Sequence, residues 1–485
     1  VAKKKEVIPT IDPASIQVLE LAEERHISTV FSRAAAMAPC PIGADGACCK
    51  VCSMGPCRLV GKARRGVCGA TLGTVAARNF ARMVAAGVSA HSDHGRDLAF
   101  TLVGVADGEA GGYEIRDPAK LHGVAGYLGI PTEDRTDKEI ARDVGTKALE
   151  QFGQQRGEVI WTARSTQQRQ KIWRDRRLMP RGIDREIVEI MHRTHMGVDM
   201  EAENILDQAM RAALADGWGG SMLATDISDI LFGTPGPVQS MANLGVLKDD
   251  EVNIIVHGHE PTLSEMIVIA CLDPELIEYA RAKGANGINL AGICCTSNEV
   301  LMRHGIPPAG NFLQQELAIV TGSVEAMVVD VQCIMQSLGE LVQDYHTELI
   351  TTSPKAKIPG AVHIELSEHD ALSTAKEIVR RAIDNFPDRG KTDIPAVKEG
   401  LVAGFSHEYL NYMQGGELRG SFRPLNDAIM SGRIRGAAGV VGCNNVRVTH
   451  DDATSNIIRE LIANDVLVVV TGCAAHAAAK YGYLS

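Results

Sequence analysis

Twelve cysteines and fifteen histidines supply most of the groups in this 485-residue chain that could bind metal or pass protons. Six of the cysteines crowd into one stretch, PCPIGADGACCKVCSMGPCRLVGKARRGVCGAT, at positions 40, 48, 49, 52, 57 and 68. Its glycines and prolines predict a loop. Cys49, Cys52 and Cys57 have a C-x2-C-x4-C spacing that lets one loop wrap three corners of an iron–sulfur cubane, and Cys68, after a ten-residue excursion, can supply the fourth. Zinc also takes four thiolates, but its sites usually show two separated C-x2-C knuckles and only one exists here, so the spacing favours iron–sulfur. Cys40 and Cys48 are then left over. Two thiols cannot close a cluster, yet a two-fold axis doubles them to four, since an isologous interface presents the same residues from both subunits. The alternative is that they are buried thiols or spare ligands of the same loop.

A second set is spread along the chain. Five apolar, β-branched runs of strand length each end on a histidine or cysteine: VNIIVHGH on His257 and His259, GINLAGICC on Cys294 and Cys295, AMVVDVQC on Cys333, RGAAGVVGC on Cys443 and DVLVVVTGC on Cys473. In parallel α/β sheets the carboxyl ends of the strands point to one rim, where ligands bind, so one rim is expected to collect these side chains. Thiolates with an imidazole and no excess of carboxylates select soft or borderline metals: zinc, iron–sulfur clusters, copper(I) or sulfur-held nickel. Cys271, inside the apolar helix MIVIACL, reads as a structural thiol.

Several elements must position these groups. Asp12-Pro13 reads as an N-cap and first helical residue, opening a helix through SIQVLELAEERH. After the cysteine loop, TVAARNFARMVAAGVSAHSDHGRDLAF predicts a long helix with His91 and His94 on one face. These could relay protons or be ordinary histidines near a helix end. Residues 110–215 read as charged and helix-rich, with His192 and His195 at the surface. The basic run Arg164, Arg169, Lys171, Arg174, Arg176, Arg177, Arg181 and Arg185 reads as a solvated helical face or as a dock for an acidic electron carrier. ADGWGGSMLATDISDILFGTPGPVQS reads as a boundary near residue 235, with Asp216, Asp226 and Asp229 as capping acids in or near a loop. FPDRGKTDIPA, at 386–396, reads as a second boundary. The fold class expected is α/β with an N-terminal all-helical domain and Rossmann-like parallel-sheet domains: helical over 1–237, Rossmann-like over 238–390, and a second, incomplete Rossmann-like domain over 391–485. A net charge of −11 argues against nucleic acid as a partner. No run of 18 apolar residues suggests a membrane span, and the opening VAKKKEVIPT lacks a secretory core, so a cytoplasmic location with reduced or metal-bound thiols is expected.

CCKVCSMGPCR, AHSDHGR, DGWGG, GHEP, GICCT, DVQC, GCNN and TGC, in that order, resemble the motifs of the nickel-dependent carbon monoxide dehydrogenases of anaerobic microbes over the whole length. The resemblance implies a homodimer that oxidises CO with water to CO2, two electrons and two protons. It implies that Cys40 and Cys48 hold a 4Fe-4S cluster shared across the dimer axis and that Cys49, Cys52, Cys57 and Cys68 hold a second 4Fe-4S cluster. At a Ni-Fe-S cluster, Cys333, Cys443 and Cys473 would bind the cubane irons and His259 and Cys295 the iron outside it, with His257 and Cys294 as neighbours. His91 would hydrogen-bond the CO2-like group, Asp216 would assist the water-derived hydroxide and His94 would continue a proton route. Where many relatives extend a histidine ladder, this chain has Asp97 and Phe100. The family's further nickel-binding Cys and catalytic Lys are expected beyond KYGYLS, which makes the sequence read as a fragment. A ferredoxin-like electron carrier, an acetyl-CoA synthase or a hydrogenase complex are the partners implied. The alternatives are a hybrid-cluster, hydroxylamine reductase-like protein and a non-catalytic Fe-S electron-transfer subunit.

Overall fold

The computed structural model describes residues 9–485; the opening stretch read for an export signal falls largely on residues 1–8, which lie outside it. The chain divides into two compact units, Ala38–Gly233 on one side and Thr234–Ser485 with the N-terminal residues through Met37 on the other.

Ala38–Gly233 is helical around the cysteine loop. The loop is nearly irregular, as its composition predicts, with two short strands, β1 (Cys48–Cys49) and β2 (Cys57–Arg58), that pair antiparallel and set Cys49 opposite Cys57. Next comes the long helix Leu72–Asp107, started by the Thr71 side chain accepting from the Thr74 amide and ended by Gly108 in the left-handed region at φ +79°. That end needs glycine, which carries no Cβ penalty there. Helices Asp137–Gly153 and Ala202–Leu214 pack along it.

The stretch read as a loop with capping acids is helical. Ala202–Leu214 runs without a break into a π-helical turn, Ala215–Ser221, and then into Met222–Phe232, where Asp226 and Asp229 are buried. Gly219 and Gly220 of DGWGG serve close packing: a Cβ on Gly220 would fall 2.6 Å from Asp216 Oδ1 and 3.1 Å from Ser92 Cβ, and one on Gly219 would fall 2.9 Å from Ile183 Cγ1. The basic run is also largely paired, with Arg164 on Asp226, Lys171 on Asp175, Arg174 on Glu158, Arg181 on Glu186 and Arg185 on Glu189. It is a face laced with ion pairs, which leaves little unbalanced charge for a docking patch.

The other unit carries the sheets. An antiparallel pair joins β3 (Val238–Ala242) to a later strand, and then β4 (Val252–Gly258), β5 (Ile288–Ile293), β6 (Pro308–Gly310), β7 (Val324–Val329), β8 (Glu348–Thr351) and β9 (Val362–His363) form one parallel sheet in the order β6-β5-β4-β7-β8-β9. β4 and β7 are buried along their full length, which is why they read as unbroken apolar runs. β10 (Glu399–Ala403) is the partner of β3; β11 (Gly436–Val441) and β12 (Val466–Thr471) pair parallel in a separate two-stranded sheet.

The single rim expected from the sequence is therefore made by two sheets. The helix Pro13–Glu24, capped by Asp12 as predicted, belongs to this unit: Ala14, Val18 and Ala22 join the core of Leu317 and Val320, and Asp12 accepts from Asn243 Nδ2 at 2.7 Å. Its narrow stripe of small residues suits a close fit against a sheet-flanking helix, which helical periodicity alone does not distinguish from packing in a bundle. Among the described residues no helix is long and apolar enough to cross a membrane.

Candidate metal centre

All twelve cysteines are unbridged thiols. In the loop, Cys49, Cys52, Cys57 and Cys68 line one small cavity. A core of Cys49, Leu59, Ala70 and Val75 steadies it, and Asn79 reaches from the long helix to donate to the carbonyls of Gly46 at 3.0 Å and Cys48 at 3.1 Å. The Ala70 amide, and after it the Arg78 guanidinium, hold the Cys68 thiol below its usual range against the opposing effect of burial. Cys40 and Cys48 do not join this cavity. They line a separate open hollow at the surface beside Phe80 and Met83, which are 55% and 73% exposed.

At the rim, β4 ends just before His259, β5 just before Cys294 and Cys295, and β7 four residues before Cys333, while β11 and β12 end two residues before Cys443 and Cys473. The carboxyl ends of the two sheets meet: Cys294 touches both Cys333 and Cys473, Cys333 touches Cys443, and His259 touches Cys295 and Cys333, with its Nε2 at 4.0 Å from Cys333 Sγ. The backbone is strained at this place, with Cys294, Gln332 and Cys333 all at φ between +60° and +65°. Such strain in residues other than glycine marks a site that its surroundings hold in place. Among the described residues no three of these side chains meet at one point as ligands of a single ion would. Their pairwise contacts link them into one loose ring, and thiols with an imidazole are donors suited to soft and borderline metals, iron–sulfur clusters among them.

The charges within the ring agree with that use. Burial opposes a charge on His259, but the thiols of Cys295 and Cys333 outweigh it and push the imidazole up to about 11. Hydrogen bonds from Cys294 and Cys443 hold the Cys333 thiol far down, and the resulting thiolate pushes Cys443 up. His259 Nδ1 lies 3.2 Å from the Val331 carbonyl and donates to it, which turns Nε2 toward the thiols. His257 is fully buried with Nε2 3.1 Å from Gln315 Oε1, and burial pushes it down to about 4, so it is a neutral support behind the ring.

Cys294, expected as a neighbour of the ligands, stands between Cys333 and Cys473. One feature of this site escaped the sequence reading. Asp330, inside the quoted DVQC, is fully buried and its carboxylate accepts from the His259 amide at 2.7 Å, the Glu260 amide at 3.0 Å and Thr296 Oγ1 at 3.2 Å. It fixes the turn that carries His259. Gly258, at φ +139°, is obligatory there, because a Cβ would overlap the Asp330 carboxylate at 1.6 Å. The signal for Asp330 was an acid at the end of an otherwise apolar strand, a position that has to be justified by partners.

In the helical unit His91 Nδ1 lies 2.9 Å from Asp216 Oδ2 and 3.1 Å from Ser221 Oγ. The π-helical turn brings Asp216 to this histidine, and the His94 ring stands edge-on to His91 at 5.1 Å. Phe100 is exposed on the same helix.

Residues 47–485 match the Prismane/CO dehydrogenase family. The chain is 53% identical over 481 residues to carbon monoxide dehydrogenase 1 of Methanosarcina mazei, covering 98% of this chain and 76% of that one. It is 44% identical over 487 residues to the carbon monoxide dehydrogenase/acetyl-CoA synthase subunit beta of Moorella thermoacetica, covering 98% of this chain and 72% of that protein. An as-isolated, Ni-free crystal structure of carbon monoxide dehydrogenase from Thermococcus sp. AM4 superposes with a TM-score of 0.95 at 47% identity, over 99% of this chain and 76% of that one. The chain belongs to the Prismane/CO dehydrogenase family, and the α/β fold with a helical domain is the fold of its structural neighbours.

Proposed function

We propose that the protein is an oxidoreductase that oxidises CO with water to CO2, two electrons and two protons at a Ni-Fe-S cluster held on the rim. The observation that carries this reading is the ring made by His259, Cys295, Cys333, Cys443 and Cys473, in a chain 44–53% identical to proteins named carbon monoxide dehydrogenase. When bound, such a cluster supplies the metal site for CO and the store for its two electrons, and 4Fe-4S clusters supply their exit.

The residues have separate tasks. His259 and Cys295 would hold the iron outside the cubane, and Cys333, Cys443 and Cys473 the cubane itself. Asp330 and Val331 orient His259 through its amide and its Nδ1. Asp216 accepts from His91 Nδ1, which leaves His91 Nε2 to hold or release a proton, with His94 as the next acceptor. Asp97 and Phe100 interrupt any longer histidine route along this helix.

Cys49, Cys52, Cys57 and Cys68 would hold one 4Fe-4S cluster. The thiols of Cys40 and Cys48, in an open hollow flanked by exposed Phe80 and Met83, support a second one shared across a homodimer axis. The six-stranded sheet of 238–390 and the parallel pair β11–β12 of 391–485 are read as two Rossmann-like domains, although the β3–β10 pair joins them within one compact unit. A ferredoxin-like carrier is the proposed electron acceptor. An acetyl-CoA synthase partner is proposed from the likeness to the Moorella subunit.

A hybrid-cluster protein is the second reading, disfavoured because the chain has both the Cys294-Cys295 doublet and the Cys40/Cys48 pair. The test is metal analysis of the anoxically purified protein together with CO-dependent dye reduction. Nickel bound in proportion to CO-dependent reduction is expected. Iron alone with hydroxylamine reduction would replace this reading by the hybrid-cluster one, and iron without either activity by an electron-transfer subunit.

A further inference from the structure

Arg78 is the one arginine among the described residues that is fully buried, at 0% exposure. It projects from the long helix Leu72–Asp107 and lines the same small cavity as Cys49, Cys52, Cys57 and Cys68. Its Nε and Nη1 have no hydrogen-bond partner, Nη2 reaches the Asp199 carbonyl and Met200 Sδ at 3.4 Å each, and the guanidinium also lies against the Cys68 thiol. Among the described residues no carboxylate pairs with it. A guanidinium cannot shed its charge to suit burial. Left unpaired in the interior it is strongly destabilising, so its place in this fold calls for an anion. The other arginines and lysines of the loop are exposed.

We propose that Arg78 is a positioning residue for the loop cluster, donating through Nε and Nη1 to its sulfurs and raising its reduction potential. The inference rests on the reading of Cys49, Cys52, Cys57 and Cys68 as ligands of a 4Fe-4S cluster. A cluster in a cage of four thiolates is anionic and gains one more negative charge on reduction. A fixed cation that lines its cage and touches one of its thiols therefore favours the reduced form, and hydrogen bonds and local charge are the protein's usual means of setting such potentials.

The experiment is an anoxic redox titration of the holoenzyme followed by electron paramagnetic resonance, with iron analysis and a thermal melt on each variant. Cys52→Ser identifies the loop signal by its loss. If that variant loses no iron and no signal, the cluster reading itself fails, and this is distinguishable from failure of the role given to Arg78. Arg78→Met and Arg78→Gln both remove the charge. Loss of a charge-assisted hydrogen bond is expected to lower the ratio of reduced to oxidised loop cluster at a fixed potential by about tenfold, which for a one-electron couple is a midpoint lower by about 59 mV. The iron count and the remaining signals are expected to be unchanged. A loaded neutral variant with the wild-type midpoint overturns the proposal. Loss of the loop iron from both variants with an unchanged melt also overturns it, because Arg78 would then serve assembly and not potential.

Discussion

The cysteine loop and the strand-end rim hold thiols by opposite means. From Cys40 to Cys68 the cysteines follow one another along the chain. Their geometry is local, set by a two-residue strand pair and a core of only Cys49, Leu59, Ala70 and Val75. The rim draws His259, Cys295, Cys333, Cys443 and Cys473 from five strands in two sheets, and its precision depends on how those sheets and their helices pack. A loop of this kind needs spacing and glycines. A rim needs a finished core, and here it also carries strained backbone at Cys294, Gln332 and Cys333 that the core must hold. One site can be lost while the other survives.

The largest expected effect comes from cutting the rim alone. His259→Val removes the imidazole that Val331 and Asp330 orient; with His259 proposed as a metal ligand, its loss should exceed the roughly 10- to 100-fold penalty typical of lost supporting contacts. CO-dependent dye reduction should fall by more than about a hundredfold, while the loop signal still appears on reduction with dithionite. His257→Val should be milder, since His257 only supports the ring through Gln315. If His257→Val abolishes activity and His259→Val does not, the register assigned to the end of β4 is wrong.

A smaller effect separates the loop from itself. Cys40 and Cys48 line their own hollow, so Cys40→Ser with Cys48→Ser should remove about four irons per dimer and shift the sedimentation of the protein toward monomer. The signal that depends on Cys52 should stay. A double variant with its full iron count would show that the two thiols are not cluster ligands, and the contrast between a closed cavity and an open hollow would then have no functional meaning.

These differences decide what could be read from the sequence. The loop could be read from spacing alone, and so could the cap at Asp12 and the long helix bearing His91 and His94, because their determinants are neighbours in the chain. The rim was partly legible: five apolar runs ending in His or Cys gave the grammar, but not that two sheets share it, since pairing between distant strands leaves no local mark. The π-helical turn at Asp216 was misread as a loop because Gly217, Gly219 and Gly220 look like breakers. For Gly219 and Gly220 the reason is the contact they make across space, with Ser92 at Gly220 and with Ile183 at Gly219. Asp330 and Arg78 were passed over for a similar reason. A single charged residue in a sequence looks exposed until the structure shows it buried.

The smallest expected effect concerns acid, and it should fall on the unit that carries the rim. That unit buries His257, His450 and His476, whereas none of the histidines in Ala38–Gly233 is fully buried. His476 is the cleanest of the three: neither ring nitrogen has a hydrogen-bond partner, and burial, aided by the nearby Lys480, pushes it down to about 3. Asp451 also faces it and pulls the other way, but less strongly. In the unfolded chain the same imidazole titrates near pH 6.5. Below that pH the unfolded state binds one proton that the folded state refuses, so stability is fully present above about pH 6.5 and is lost as the pH falls toward 3. At about 1.4 kcal/mol per unit, the loss from this one residue between pH 7 and pH 5 is about 2 kcal/mol. His476→Leu removes the titration and an unsatisfied polar group together, so it should be neutral or stabilising at pH 7. The check is the unfolding free energy of wild type and variant at pH 7 and pH 5, compared as a difference of differences so that any packing cost of leucine cancels. The variant should lose about 2 kcal/mol less than wild type over that interval; His257 and His450, which burial shifts in the same direction, should still give it a residual slope. Identical slopes for the two proteins would mean that acid acts elsewhere, and the rim would then have no special sensitivity to set against the loop.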